Sequence, residues 1–213
     1  MNLDQIELQK TAILFFDILN GYYHEAGETA KARKKPMVDN AVRLMKAGRE
    51  DKIPIFFAKG NHRVDSSTVG FILTDTKLDL TPWPNGVVTK EMPVAVEGKS
   101  GSNVIPELDP RPDDYYIPKY RWSAFHQTFL DLALRTAKID TLIISGGSTD
   151  VGVTSTVFAG RDLDYNMIVA RDACATIRDQ RAHDVLMDLI FPRMCRVRTT
   201  DQVLRMIKEA RGK

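Results

Sequence analysis

The chain reads Thr141-Leu-Ile-Ile-Ser145, then Gly146-Gly-Ser-Thr-Asp-Val-Gly152, then a helical stretch that ends near Leu163, and finally Asn166-Met-Ile-Val-Ala170. An apolar run, a glycine-rich turn, a helix and a second apolar run together predict a βαβ unit. The turn lies where a strand ends and a helix begins, which is where open α/β sheets place their reactive groups. Backbone N–H groups at such a helix start can stabilise a developing negative charge. We therefore expect this turn to belong to a functional site.

The rest of the chain continues this alternation of strands and helices. Thr11–Phe16 is a continuous apolar run, as expected of a central parallel strand that is buried on both faces. Further elements are predicted as strands at Ile53–Ala58, Asp114–Lys119 and Met194–Thr199, and as helices at Pro36–Gly48, after Ser123, at about Arg178–Ile190 and after Asp201. Strands that alternate with helices favour an α/β fold built on a parallel sheet.

Capping residues and apolar spacing define the expected helix boundaries. Pro36 lies near the start of its predicted helix, and Gly48 is the candidate C-cap. Ser123 and Asp201 are the expected N-caps of two later helices. The helix after Ser123 is expected to bury four side chains, those of Phe125, Phe129, Leu132 and Ala133.

Length and composition favour one domain spanning residues 1–213, because this length suffices for a single α/β core. A hydrophobic fraction of 43% and a net charge of +2 give no argument for a nucleic-acid or membrane partner. Residues 68–112 are rich in turn signals and predict an irregular covering segment, used as a lid or as an oligomer contact. Cys174 and Cys195 form no disulfide framework and residues 1–7 no secretory signal, so we expect a cytoplasmic protein.

Four polar residues follow predicted strands. Asp17 comes directly after a buried strand, where a carboxylate is costly unless it is used or paired; the alternative is a turn or capping residue. Lys119 ends another strand, and on its own it is equally a solvated lysine. His62 is a candidate metal ligand, substrate contact or plain loop residue. Arg63 can bind a substrate carboxylate with its planar fork, or lie exposed.

Three blocks of the chain carry a resemblance to a known family. They are Asp17 after the first strand, Pro118-Lys-Tyr-Arg-Trp-Ser-Ala-Phe125, and Gly147-Ser-Thr-Asp-Val-Gly-Val-Thr-Ser-Thr156. In order and spacing they resemble the isochorismatase-like hydrolase superfamily, also called cysteine hydrolases. Asp172-Ala-Cys-Ala175 fits the same pattern, and the resemblance extends from about residue 10 to residue 200.

The resemblance implies a Rossmann-like, three-layer α/β/α sandwich with a mostly parallel six-stranded sheet. In this superfamily an aspartate, a lysine and a cysteine form the catalytic group, and these positions correspond to Asp17, Lys119 and Gly152. A non-proline cis peptide is expected between Gly147 and Ser148, with backbone N–H groups near Ser148 and Gly152 forming an oxyanion hole. The candidates for substrate binding are His62, Arg63, Arg121 and Trp122.

Three functions remain open, because Gly152 supplies no nucleophile. In the first, Asp17 is the general acid of a vinyl-ether hydrolysis without a covalent intermediate, supported by Lys119, as in the isochorismatases proper. In the second, the chain is an amidohydrolase of the ureidoacrylate, carbamoylsarcosine, maleamate or biuret type whose cysteine has been lost. In the third, it is a catalytically silent binding protein on the same scaffold.

The resemblance also bears on metals and assembly. Nicotinamidases of the superfamily place an Asp-x-His-x-His type metal site after the second strand, whereas this chain has Gly60-Asn-His-Arg-Val-Asp65, without the second histidine. We therefore predict no metal and no cofactor. We expect a small-molecule substrate, and a homodimer or homotetramer by analogy alone.

Overall fold

A six-stranded sheet forms the centre of the molecule. The computed structural model describes residues 2–176 and 178–211. The strands are β1 Thr11–Phe16, β2 Ile55–Gly60, β3 Tyr115–Lys119, β4 Thr141–Gly147, β5 Asn166–Ala175 and β6 Arg196–Arg198. They pair in the order β3-β2-β1-β4-β5-β6, and all five pairings are parallel. The expected sheet of a doubly wound α/β fold is confirmed.

Helices cover both faces of this sheet. They are α1 Glu28–Glu50, α2 Leu130–Thr136, α3 Thr154–Asp162, α4 Gln180–Val185 and α5 Thr200–Ala210. One core joins α1 and α5 to Ile13 and Phe15 of β1, and the other joins α2 and α3 to Leu14 and Phe16. Successive side chains of a strand point to opposite faces, so β1 supplies both cores and is fully buried. The three-layer sandwich is confirmed.

Helix α1 is longer than predicted. It begins at Glu28 instead of Pro36, and Pro36 lies inside it. Gly48 is a buried residue within the helix, not its C-cap, and a Cβ there would lie 2.8 Å from Cδ1 of Ile13. The absent side chain therefore lets α1 approach β1 closely.

The buried side predicted for the helix after Ser123 is confirmed only in part: Phe125 and Ala133 pack against the core. The helix begins at Leu130 after an irregular turn, and Ser123 accepts a hydrogen bond from the backbone of Phe125 within that turn instead of capping α2. Leu130 and Leu134 are fully buried, whereas Phe129 and Leu132 are exposed, Leu132 by 69%. The buried stripe of α2 is thus displaced from the expected one by about one residue.

Other boundaries shift by a few residues. The last helix is capped by Thr199 instead of Asp201: Thr199 Oγ1 accepts from the Gln202 backbone, and Gln202 Oε1 accepts from the Thr199 backbone. This reciprocal pair is a capping box. The predicted helix 178–190 consists of α4 followed by a wider π-type turn at Leu186–Ile190.

Residues 68–112 contain only short 3₁₀ turns and isolated bridges, with turns at Pro84–Gly86, Ser100–Ser102 and Pro106–Leu108. The backbone of Ala95 accepts from His62 at 2.9 Å, and Ile105 donates to Ile18 at 3.2 Å. The inner part of this segment is therefore attached to the loops that follow β1 and β2. Among the helices that the structure describes, none is both long and apolar enough to cross a bilayer.

Candidate active site

Asp17 lies at the carboxyl end of β1, with a left-handed backbone (φ 48°) that turns its side chain across the sheet edge. Its backbone N–H donates to Ala58 O at 2.9 Å. Its Oδ1 accepts a hydrogen bond from the Gly60 N–H, also at 2.9 Å. Short polar side chains tolerate this backbone region better than most others, which favours aspartate here. The carboxylate is consequently fixed between the ends of β1 and β2.

Lys119 reaches the same carboxylate from the end of β3. Its Nζ lies 2.6 Å from Asp17 Oδ2, and the two side chains are only 8% and 12% exposed. The parallel register places Lys119 beside Gly60, so three consecutive strand ends contribute to one site. The ammonium also lies 4.4 Å from the centre of the Phe16 ring, a cation–π distance. The structure thus joins Asp17 and Lys119 into a shielded, charge-assisted pair.

The glycine-rich turn after β4 lies against Phe16, the residue that precedes Asp17. Gly146 has φ 133°, and a Cβ on it would collide with the backbone of Phe16, so only glycine fits. The Gly147–Ser148 peptide is cis, as the resemblance implied. A π-type turn at Thr149–Val153 then leads into α3. The N–H groups of Val151 and Val153 in this turn already donate to Ser148 O, at 3.3 and 3.2 Å. The oxyanion hole expected near Ser148 and Gly152 stays a prediction.

Gly152 lies in that turn, and the space next to it is occupied. A Cβ built on Gly152 would overlap Cε1 and Cζ of the Phe16 ring and lie 3.2 Å from Cδ1. Phe16 immediately precedes Asp17 and is 1% exposed. The side of Gly152 on which any larger residue would project is therefore closed by an aromatic ring. The sequence alone indicated Phe16 only as the last apolar residue of β1.

Two further basic residues, Lys34 and Arg178, lie in the neighbourhood of the site, and the sequence pattern did not indicate either of them. Lys34 Nζ donates to Tyr22 O at 2.6 Å, and burial, together with the charge of Arg178, lowers the pKa of Lys34 to about 8. Burial and the charge of Asp17 raise the pKa of the Tyr22 hydroxyl. Arg178 Nη1 donates to Ser148 Oγ at 2.9 Å. The charge of Asp17 therefore acts on Lys34 of α1 and on Tyr22 of the turn after β1, and Arg178, after β5, acts on both of them as well.

Asp150 partly neutralises this surface. It accepts a short hydrogen bond from Ser148 Oγ and lies 3.6 Å from Arg178 Nη1. Asp150 and Val151 also line a cleft of about 540 Å³, together with residues 73–78 and Leu80 of the irregular segment. The irregular segment therefore borders the turn that follows β4.

His62 lies near the ion pair, on the loop after β2. Burial lowers the pKa of His62, and the charges of Lys119 and Arg121 lower it further. Its Nδ1 is 3.3 Å from Thr68 Oγ1, and its ring meets the edge of Tyr120. A hydrogen bond with Thr68 and the charge of Asp17 act on the pKa of His62 in the opposite direction.

The other predicted substrate contacts are more exposed. Arg63 is 60% exposed and pairs with Asp65, two residues further along its own loop. Arg121 donates to Thr68 O at 2.9 Å and to Tyr120 O at 2.7 Å, which ties the irregular segment to the loop after β3. Trp122 is half exposed. None of these side chains has a described contact with Asp17.

Neither cysteine is placed as a reactive thiol. Burial raises the pKa of both Cys174 and Cys195 to about 12. Cys174 Sγ lies against Ile144 O at 3.8 Å, in the core. Within residues 2–176 and 178–211, no three histidine, cysteine or acidic side chains come together as a metal-binding group.

Comparison with known proteins gives consistent results. The family model of the isochorismatase domain matches residues 11–202. An uncharacterized isochorismatase family protein of Bacillus subtilis is 31% identical over 98% of this chain and 100% of its own length. A ureidoacrylate amidohydrolase of Acinetobacter baylyi is 27% identical over 80% of this chain and 72% of its own. The structure of an isochorismatase family protein from Burkholderia thailandensis superposes with a TM-score of 0.78 at 24% identity, covering 97% of this chain and all of the other.

Proposed function

The chain belongs to the isochorismatase family of hydrolases, and from this premise we propose that it hydrolyses a small polar metabolite without a covalent enzyme intermediate. The observation that carries the proposal is the buried contact of 2.6 Å between Asp17 Oδ2 and Lys119 Nζ at the carboxyl edge of the sheet. Ligands of open α/β sheets bind at this edge. Gly152 offers no side chain that could attack a substrate.

Vinyl-ether hydrolysis uses these groups without a nucleophile. The Asp17 carboxylate first takes up a proton and then delivers it to the terminal carbon of an enol-pyruvyl group, and the resulting oxocarbenium ion adds water. The Asp17 carboxylate left behind is stabilised by Lys119 and by the Gly60 N–H, both of which already contact it. The carboxylate then recovers a proton from the added water, and the hemiketal collapses to an alcohol and pyruvate. A positioned general acid typically contributes 10²–10⁴-fold to such a reaction.

The surroundings of Asp17 support an anionic substrate. Lys34 and Arg178 are partly buried cations whose charges act on each other next to the site. A carboxylate or similar anion placed between them would relieve this repulsion, and a partly dehydrated site strengthens the attraction. His62, close to Lys119, is the further candidate contact among the residues that the sequence indicated.

Amide C–N hydrolysis is the second candidate, and the similarity to a ureidoacrylate amidohydrolase favours it. In that case Gly152 occupies the place of a lost cysteine. The Phe16 ring argues against a recent loss, because it fills the space that the cysteine would need. A silent binding protein remains the third alternative, although a buried ion pair is a stability cost that such a protein could have removed.

The test is hydrolysis by the unaltered chain, Asp17→Asn and Lys119→Met, each assayed on isochorismate and on small amides and ureides. Pyruvate release by the unaltered chain and a loss of about 10²–10⁴-fold in Asp17→Asn are expected. Asp39→Asn is the matched control, because Asp39 pairs with Lys35 on the exposed side of α1. Ammonia release without pyruvate would establish the second candidate instead. Activity that survives in Asp17→Asn would refute the proposed role of Asp17.

A further inference from the structure

A neighbouring side chain, and not the backbone conformation of Gly152, prevents a larger residue at this position. Gly152 has no positive φ, so an L-residue fits its backbone conformation. All three atoms nearest to a built Cβ belong to the ring of Phe16. The obstacle to a side chain at this position is therefore one aromatic residue, contributed by a different element.

Phe16 is held firmly in this place. Its backbone pairs with Ala58 on one side and Gly146 on the other. Its side chain is 1% exposed within the core that faces α2 and α3. Lys119 Nζ lies 4.4 Å from the ring centre. Because protein interiors are close-packed, moving this ring would disturb both the core and the ion pair that it contacts.

We propose that Phe16 is a specificity-determining and positioning residue, whose ring fills the nucleophile position beside Gly152 while it supports the ammonium of Lys119. The inference rests on the proposed function, since it explains how a site with Asp17 and Lys119 is reserved for chemistry without a covalent intermediate. It also implies that Gly152 and Phe16 form a matched pair. A nucleophile introduced at Gly152 alone does not obtain the space it needs.

The test compares Gly152→Cys with the double variant Phe16→Val/Gly152→Cys. Phe16→Val is destabilising by itself, because it removes a buried ring, so the four proteins of the cycle are compared. We expect Gly152→Cys to lower the thermal midpoint of the unaltered chain clearly more than it lowers the midpoint of Phe16→Val. Iodoacetamide alkylation, in which the thiolate displaces iodide, is then followed by peptide mass spectrometry at position 152. The introduced thiol should react at least about tenfold faster in the double variant, where reaction does not need a local opening. Cys174 and Cys195 give a low background, because burial raises the pKa of both to about 12.

Gly160→Cys, alone and with Phe16→Val, is the matched control in the same helical region. A Cβ at Gly160 would lie 2.6 Å from Met167 Sδ and 3.1 Å from Phe125 Cε2, away from Phe16. Phe16→Val should therefore not rescue this variant. The pH profile gives a second signature: a thiol beside the Lys119 ammonium should remain reactive at lower pH than the Gly160→Cys thiol.

Two results would overturn the inference. One is a Gly152→Cys protein with an unchanged midpoint whose thiol reacts as fast as that of the double variant. The other is a double variant that fails to fold although Phe16→Val folds. If only Gly152→Cys fails to fold, the rescue by Phe16→Val supports the inference. Since these readouts need no substrate, they remain valid if the Asp17→Asn assay refutes the proposed function.

Discussion

Replacing Lys119 with methionine should reveal the energetic cost of burying the ion pair of Asp17 and Lys119. Methionine keeps an unbranched apolar side chain, and it removes the ammonium together with its contacts to Asp17 and to the Phe16 ring. The Asp17 carboxylate, 12% exposed, is then left with the Gly60 N–H as its described partner. A buried charge without its counter-ion is strongly destabilising. We therefore expect Lys119→Met to be much less stable than its conservative shape suggests.

The magnitude follows from the geometry. Unit charges at the observed 2.6 Å attract by about 6 kcal/mol at an effective dielectric constant of about 20. Part of that attraction only offsets the dehydration of the two groups, and breaking one partner of such a pair costs about 3–5 kcal/mol. In the double variant Asp17→Asn/Lys119→Met no charge remains. Asparagine tolerates the left-handed backbone and still accepts from Gly60, so this variant should lie within about 1–2 kcal/mol of the unaltered chain.

Urea unfolding followed by circular dichroism measures the free energies of all four proteins in this cycle. For a domain of this length, about 3–5 kcal/mol corresponds to a fall of roughly 6–20 °C in the thermal midpoint. The exposed pair of Lys35 and Asp39 provides the control, because such pairs contribute about 0–1 kcal/mol. A Lys119→Met protein within about 1 kcal/mol of the unaltered chain would refute the reasoning. So would a double variant as unstable as Lys119→Met alone.

Three further predictions concern other parts of the chain. Folding lowers the pKa of Lys34 from 10.5 to about 8. Between these two pH values the unfolded chain binds one proton more than the folded chain, so the free energy of unfolding rises with pH. Lys34→Met should flatten that rise in urea titrations at several pH values, and an unchanged slope would contradict the assignment. Thr199→Ala should lower the free energy of unfolding by about 0.5–2 kcal/mol through loss of the capping box. The same urea titration measures this change, and an unchanged free energy would show that the cap does not contribute to stability. Leu134→Ala should lower the free energy of unfolding by about 2–5 kcal/mol and Leu132→Ala by less than about 0.5 kcal/mol. The reverse order would mean that Leu132, as the sequence predicted, lies on the buried face of α2.

The strands were predictable where burial leaves no choice of residue. β1 supplies side chains to both cores, so its sequence is an unbroken apolar run with clear ends. The first turns of α1 carry mostly charged residues and no apolar stripe, so the pattern indicated a start at Pro36. The helix continues through Pro36 because Ala32, whose carbonyl loses its partner, is exposed and can bind water. Solvent access of that kind has no signature in the sequence.

The site divides in the same way. Asp17 and Lys119 stand out because each charge follows an apolar strand, and the parallel register brings the strand ends together. Phe16 could not be separated from the other apolar residues of β1, because its role depends on what lies beside Gly152. Lys34 belongs to a run of charges on α1 that is typical of a solvated face. Its partial burial comes from its contact with Tyr22, a residue of the turn that follows β1.

The sheet order has a consequence for how the chain can be divided. Residues 72–80 are largely exposed, and a cut there separates β1 and β2 from the four later strands. Because the order is β3-β2-β1-β4, the two strands of the first fragment lie between two strands of the second. Asp17 belongs to one fragment and Lys119 to the other. The chain would thus be divided like a split reporter, in which neither half contains the ion pair and only reassociation assembles it.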